Sequence, residues 1–286
     1  MPADRLLVPV ANPETADRLL DTAIDIATDR DLEILVLSVV TVPMQVPLGE
    51  ARRRFDVDDQ KDLVNEAVER TRSDGVSATG RIQFGRSVAE SVRGVADAED
   101  VATILLGWRG RPRRRDVVLG SHIDDVLADA PCDVLVKRID RDRHAVASVL
   151  VPVAGGPNTA FAAETAGSLA RAHDARIELV TVVPDREEET VAEARTLLDR
   201  TAPALGAVES VTQNVLEGSV VETIVDRSGE HDVTVVGAAE GGFLRRALVG
   251  DVPEAIARDA EGAVLMAKRT QAVPEALWRR LRDRLR

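Results

Sequence analysis

Short apolar runs alternate with segments of helical period along almost the whole chain. Leu6–Val10, Leu32–Val40 (LEILVLSVV), Val76–Gln83, Val101–Leu106 (VATILL) and Asp133–Lys137 are near-continuous apolar runs, the pattern of strands buried on both faces. Between them lie predicted helices. The first is opened by Asn12 as a cap with Pro13 in the first turn, and it carries Leu19, Leu20, Ala23, Ile24 and Ala27 on one face. Asp58–Arg72, Ser87–Asp97 (capped by Ser87) and residues 121–129 follow, while TVPMQVPLGEARRR, with two prolines and no period, reads as a long loop. Strands alternating with helices predict an α/β fold with a parallel sheet covered on both faces. Right-handed crossovers make it an open doubly wound sheet, with a ligand crevice at the carboxyl ends of the strands where their order reverses.

The pattern occurs twice. LLVPVA at Leu6–Ala11 recurs as VLVPVA at Val149–Ala154, TILLG ending at Gly107 recurs as TVVG ending at Gly237, and residues 118–138 align without gaps to 248–268 at a constant offset of 130. The second copy is predicted to contain helix Asn158–His173, strand Arg176–Val183, helix Glu188–Thr201 and strand Val208–Asn214. Helix Ser219–Asp226, strand Val233–Val236, helix Val252–Asp259 and strand Ala263–Ala267 complete it. Two domains are expected, 1–140 and 146–269, joined by a charged linker, Arg138–Ala147 (RIDRDRHAVA). Residues 272–286 form a third piece, an amphipathic helix beginning at Pro274 in which Leu277, Trp278, Leu281 and Leu285 share a face. That helix is too short to hold itself in water, so it packs on this chain or docks elsewhere.

The candidate chemistry lies in LGWRGRPRRRDVVLGS (Leu106–Ser121). A strand runs into a loop carrying Gly107, Gly110 and Gly120, and then into a helix that starts near Ser121. Backbone N–H groups converge on a phosphate at such a place: glycines allow close approach, and the first amides of the helix are unpaired. Ser121 adds a hydroxyl or caps the helix, and Arg109, Arg111, Arg113, Arg114 and Arg115 make the loop cationic, either as a phosphate clamp or as a solvated loop facing acidic neighbours.

The spacing G-x2-G-x9-G-S resembles the nucleotide loop of the universal stress protein family. LGSHIDDVLADAPCDVLVKR (Leu119–Arg138) resembles that family's last helix and strand, and LLVPV (Leu6–Val10) its first strand. The resemblance implies two tandem five-stranded sheets of order 3-2-1-4-5, an adenine nucleotide alpha hydrolase-like arrangement. It also implies that the first domain binds ATP or a related adenine nucleotide. Carried over by motif position, Gly107, Gly110, Gly120 and Ser121 are the phosphate and ribose contacts, and Arg109 and His122 line the same pocket. Pro9 and Val10 stand at the end of the first strand, and Val39 meets the adenine edge. The sequence departs from the family at Ala11, where nucleotide-binding members carry an aspartate for the ribose. The second copy departs further: Ala154 matches Ala11, Glu240 replaces Gly110 and Asp251 replaces Ser121, so carboxylates stand where phosphates would sit. The second domain is therefore expected to be a structural pseudo-dimer partner. Family members pair through their last strands, so strands 133–137 and 263–267 are expected to face each other within the chain, and the same edge could serve a homodimer.

Composition narrows the rest. A hydrophobic fraction of 44% supports ordinary cores, but only 2% of residues are aromatic and none is Tyr, so the cores are aliphatic. A net charge of −12, with Lys only at 61, 137 and 268, suggests a halophilic-type acidic protein and argues against nucleic acid as a partner. No apolar run reaches membrane-spanning length and no cleavable leader precedes Leu6, which predicts a soluble cytoplasmic protein. Cys132, the one cysteine, is expected in the core. His122, His144, His173 and His231 have no metal-ligand spacing, so no metal site is assigned. No P-loop and no nucleophile elbow occurs; the protein is read as a non-enzyme, with slow ATP hydrolysis left open. Two functions remain: a nucleotide-responsive regulatory protein, and a nucleotide-free module that docks a protein partner through the paired domains and the C-terminal helix.

Overall fold

The computed structural model describes residues 4–109, 121–139, 146–238 and 252–270. The first half runs β1 (Arg5–Pro9), α1 (Pro13–Arg30), β2 (Glu33–Thr41), α2 (Leu48–Arg54), α3 (Asp58–Ser73), β3 (Ala78–Gly85), α4 (Val88–Ala98), β4 (Val101–Trp108), α5 (Ser121–Asp129) and β5 (Asp133–Arg138). The second runs β6 (Ser148–Pro152), α6 (Gly156–His173), β7 (Arg176–Val183), α7 (Glu188–Thr201), β8 (Val211–Glu217), α8 (Val220–Ser228), β9 (Val233–Gly237), α9 (Val252–Asp259) and β10 (Ala263–Lys268). The expected strand order appears in both halves, but the two sheets are one. Ten strands lie in the order β3-β2-β1-β4-β5-β10-β9-β6-β7-β8, parallel throughout except where β5 meets β10. Leu6 and Val8 point to one face, under α1, α3 and α6; Leu7 points to the other, with residues of α4, α5, α8 and α9. This alternation, with both faces apolar, lets one strand serve two cores.

Local signals explain most boundaries. Asn12 accepts from Thr15 N at 3.0 Å with Pro13 in the first turn, and α1 ends at Asp31, whose φ of 54° is left-handed. Residues 41–54 are not one loop. Leu48–Arg54 forms α2, because Ala51 is buried, Glu50 pairs with Arg54 at 2.9 Å, and Arg86 gathers the preceding carbonyls of Val42, Pro43 and Val46. Two strands start later than their apolar patterns predict. Val76 is buried in the turn after α3, its N–H on Thr71 O at 3.2 Å, so β3 begins at Ala78. The chain before β8 passes through a short 3-10 turn (Ala202–Leu205), and that strand begins at Val211.

The charged linker also begins later than expected. Arg138 is the last residue of β5 and only 2% exposed. Its guanidinium crosses into the other half and donates to Ala257 O (2.7 Å), Arg258 O (3.1 Å), Ala260 O (2.7 Å) and Gly262 O (2.5 Å), the carbonyls that end α9 and open the next turn. Lys268, which matches Arg138 in the repeat, donates back to Leu127 O at the end of α5. Each half thus caps a helix of the other across the antiparallel seam, where Met266 stands opposite Val136. On one face α1 and α6 cross the seam together. Asp29 binds Arg171 (2.6 and 2.8 Å), Asp25 meets His173 (2.9 Å), and the guanidinium groups of Arg30 and Arg269 lie 5.7 and 4.8 Å from the centre of the Phe161 ring. The hydrogen bonds from Arg171 hold the Asp29 carboxyl below its usual range.

Candidate functional site

β1 and β4 are adjacent parallel strands whose following connections lead to opposite sides, to β2 and to β5, so a crevice opens at their carboxyl ends. The structure brings five of the sequence-selected residues to that end. Pro9 closes β1 beside Leu37 of β2, and Val10 N continues the pairing by donating to Leu37 O at 2.8 Å. Val39 lies two residues further along β2 and is half-buried; Gly107 lies near the end of β4, followed by buried Trp108 and exposed Arg109. His122 is exposed on the first turn of α5, and of Ser121 only its place as the first helical residue is described. Gly110, Gly120 and the arginines at 111 and 113–115 lie outside the described residues. The C-terminal segment 272–286 and the second-copy residues Glu240 and Asp251 do too.

Two features of the crevice were not legible from the loop motif. First, the space a side chain at Gly107 would take is filled by α1 and by the residue after β5: a Cβ there would stand 3.3–3.4 Å from Leu19, Thr15 and Ile139. This glycine lets helix and strand approach closely. Second, Arg109 turns toward α1. Its Nη2 donates to Thr15 Oγ1 at 3.3 Å and lies 3.8 Å from Glu14, so the candidate phosphate cation already faces a carboxylate. Ala11, two residues after β1, is exposed and has no side-chain acceptor.

The matching crevice of the second half is a cavity of about 380 Å³ at the carboxyl ends of β6, β7 and β9. Val153, Val180, Val182, Val236, Val252 and Ile256 contribute to its wall, and no charged side chain is among its described lining residues. The capping asparagine of the first half is replaced by Gly155 at φ 85°, which provides no side-chain cap. Gly237, the counterpart of Gly107, is packed more tightly, since a Cβ there would lie 2.8 Å from the backbone of Asn158 and Thr159. Side chains can rotate away but a helix backbone cannot. Gly237→Ala is therefore expected to lower stability by about 1–3 kcal/mol, and Gly107→Ala by less than about 1 kcal/mol, measured by urea denaturation. Equal costs would show that the two contacts are equivalent.

A second polar cluster lies away from the carboxyl ends of the strands. Glu178, near the amino end of β7, is buried and accepts from Arg227 Nε (3.0 and 3.1 Å), His231 Nε2 (3.0 Å) and Asn214 Nδ2 (2.7 Å). Burial opposes its ionisation, but hydrogen bonds from His231, Arg227 and Asn214 outweigh it and bring the pKa down to about 2. The histidine that looked isolated in sequence is thus part of a structural ion cluster. Cys132 is buried, and desolvation pushes its thiol up to about 12, which leaves it inert. Among the described residues no group of His, Cys, Asp and Glu is arranged to hold a metal, and no helix is long and apolar enough to cross a membrane.

The fold and the repeat have counterparts in known proteins. A universal stress protein from Archaeoglobus fulgidus shares the architecture at a TM-score of 0.71 with 18% identity, over 94% of this chain and 97% of that one. The cytoplasmic domain of a prokaryotic cation chloride cotransporter aligns at a TM-score of 0.63 and 14% identity, over 93% and 95% of the two chains. By sequence the chain is 25% identical over 181 residues to the Na(+)/H(+) antiporter NhaS5 of Synechocystis; the match covers 63% of this chain but only 26% of that relative. The model of the universal stress protein family matches residues 2–138 and again 146–268. The chain belongs to the universal stress protein family and carries the family's unit twice.

Proposed function

We propose that this is a regulatory protein whose first half, within residues 1–140, binds ATP or a related adenine nucleotide, while the second half, 146–269, serves as its structural partner. The observation that carries the reading is that the G-x2-G-x9-G-S spacing of the sequence joins the end of β4, the neighbour of β1, to the start of α5. In this reading Pro9, Val10 and Val39 frame the base, and Gly110, Gly120 and the first amides of α5 at Ser121 take the phosphates. His122 flanks them, and Arg109 exchanges Glu14 for phosphate. The residues fit an anion at the loop better than a ribose at β1, where Ala11 stands. Turnover is not assigned: an anion-binding loop supports at most slow hydrolysis.

Isothermal titration with ATP tests this. Wild type should bind, and Gly110→Glu, which copies Glu240 of the second half, should abolish binding without unfolding the chain. Ala11→Asp should tighten it by up to about 1.5–3 kcal/mol before desolvation, through a charge-assisted hydrogen bond to a ribose hydroxyl. Identical affinities in wild type and Gly110→Glu would overturn the proposal.

A second reading is favoured by a different observation, the likeness to an antiporter and to the cytoplasmic domain of a cotransporter. In it the paired halves dock on a membrane transport protein, with or without nucleotide. Loss of ATP binding in Gly110→Glu without loss of that association would favour it.

A further inference from the structure

The free edge of the sheet beside α3 has an unusual charge and hydrogen-bonding pattern. β3 is the last strand on that side, and it pairs with β2 through alternate residues: Ile34 N donates to Ser77 O and Val42 N to Gly85 O, both at 2.9 Å. Odd-numbered residues therefore face β2, and Ala78, Gly80, Ile82 and Phe84 direct their N–H and C=O groups outward. The ends of this edge are covered. Arg72 donates to Ala78 O at 2.7 and 3.1 Å, and Gln83 Nε2 donates to Phe84 O at 3.2 Å. Gly80 and Ile82, between them, have no partner among the described residues for their outward backbone groups.

A groove of about 580 Å³ runs along this open stretch, between β3, α2 and α3. Its floor is apolar, with Val68, Ile82 and Phe84, and its rim carries Arg52, Lys61 and Arg72; Arg81 also lines it, but its guanidinium is paired with Glu99. No carboxylate is among its described lining residues, although the whole chain has a net charge of −12. Lys61 pairs with Asp58 at 2.6 Å outside the groove, whereas Arg52 is exposed and has no partner among the described residues.

We propose that this edge docks an extended acidic segment of a partner protein. The segment adds as an eleventh strand, its main chain pairing with Gly80 and Ile82. Its acidic side chains reach the cationic rim, and its apolar ones, two residues apart, rest on the floor. The proposal is independent of nucleotide binding in the crevice between β1 and β4.

A fluorescein-labelled peptide of alternating Glu and Val, about ten residues long, titrated with the full chain and followed by anisotropy, is the test. Saturable binding is expected, weakened at least about tenfold by Arg52→Glu and by Ile82→Pro. The proline removes one outward N–H at an edge position where it is tolerated. Circular dichroism checks that both variants fold, and Arg52, being exposed, keeps the test valid if the proline variant does not. A peptide of the same charge with prolines at alternate positions should bind at least about tenfold more weakly, since it cannot form a strand. Absence of binding by the wild type overturns the proposal, as does equal affinity in Arg52→Glu. Equal affinity for the proline-bearing peptide or for polyphosphate also overturns it, because the groove would then be an unspecific anion patch.

Discussion

Arg138→Met is expected to cost about 3–5 kcal/mol of stability. The guanidinium is buried and held by four carbonyl oxygens at the end of α9 and in the turn into β10. Methionine fills much of the volume but donates nothing, so several acceptors lose their partner where water does not reach, at about 1–3 kcal/mol for each group left unsatisfied. Part of that loss is offset because the charge itself was expensive to bury. The counterpart Lys268→Met removes a donor to the single carbonyl of Leu127, together with its other contacts, and should cost about 1 kcal/mol. Urea denaturation followed by circular dichroism measures both. If Arg138→Met stays within about 1 kcal/mol of wild type, the seam does not depend on this residue.

Glu178 should give the fold a specific acid sensitivity. Its folded-state pKa of about 2 lies below the unfolded value of 4.5, so the carboxylate is bound more weakly by protons in the native state. A depressed pKa stabilises above the unfolded value and is lost as pH falls from about 4.5 through about 2. The difference corresponds to about 3 kcal/mol at neutral pH. Glu178→Gln should remove a similar amount at pH 7, since the neutral amide gives Arg227 and His231 a weaker acceptor and turns a donor toward them. The variant should also show a flatter decline in stability between pH 4.5 and 2 than wild type. Parallel acid-denaturation curves for the two proteins would contradict this account.

Much of the architecture follows from the sequence alone. Apolar runs separated by helical periods determined the order of strands and helices. Gapless self-alignment revealed the repeat, and Asn12 and Ser87 marked helix starts, because these signals are local: a buried strand must be apolar whatever lies next to it, and a helix start must satisfy its own N–H groups. The glycine spacing pointed to a strand–loop–helix junction for the same reason. Local patterns do not carry the partners of a side chain. In sequence Arg138 belongs to a run of charges and reads as solvated, and only the antiparallel seam, 119 and more residues away in the chain, supplies the carbonyls that hold it. Glu178, Arg227 and His231 are likewise unremarkable one at a time; β7 and the end of α8 make them a cluster. Gly107 shows the limit most plainly. A missing Cβ reads the same in sequence whether it makes way for a phosphate or for Leu19 of a packed helix, and the direction in which that Cβ would point is decided only once α1 lies against β4.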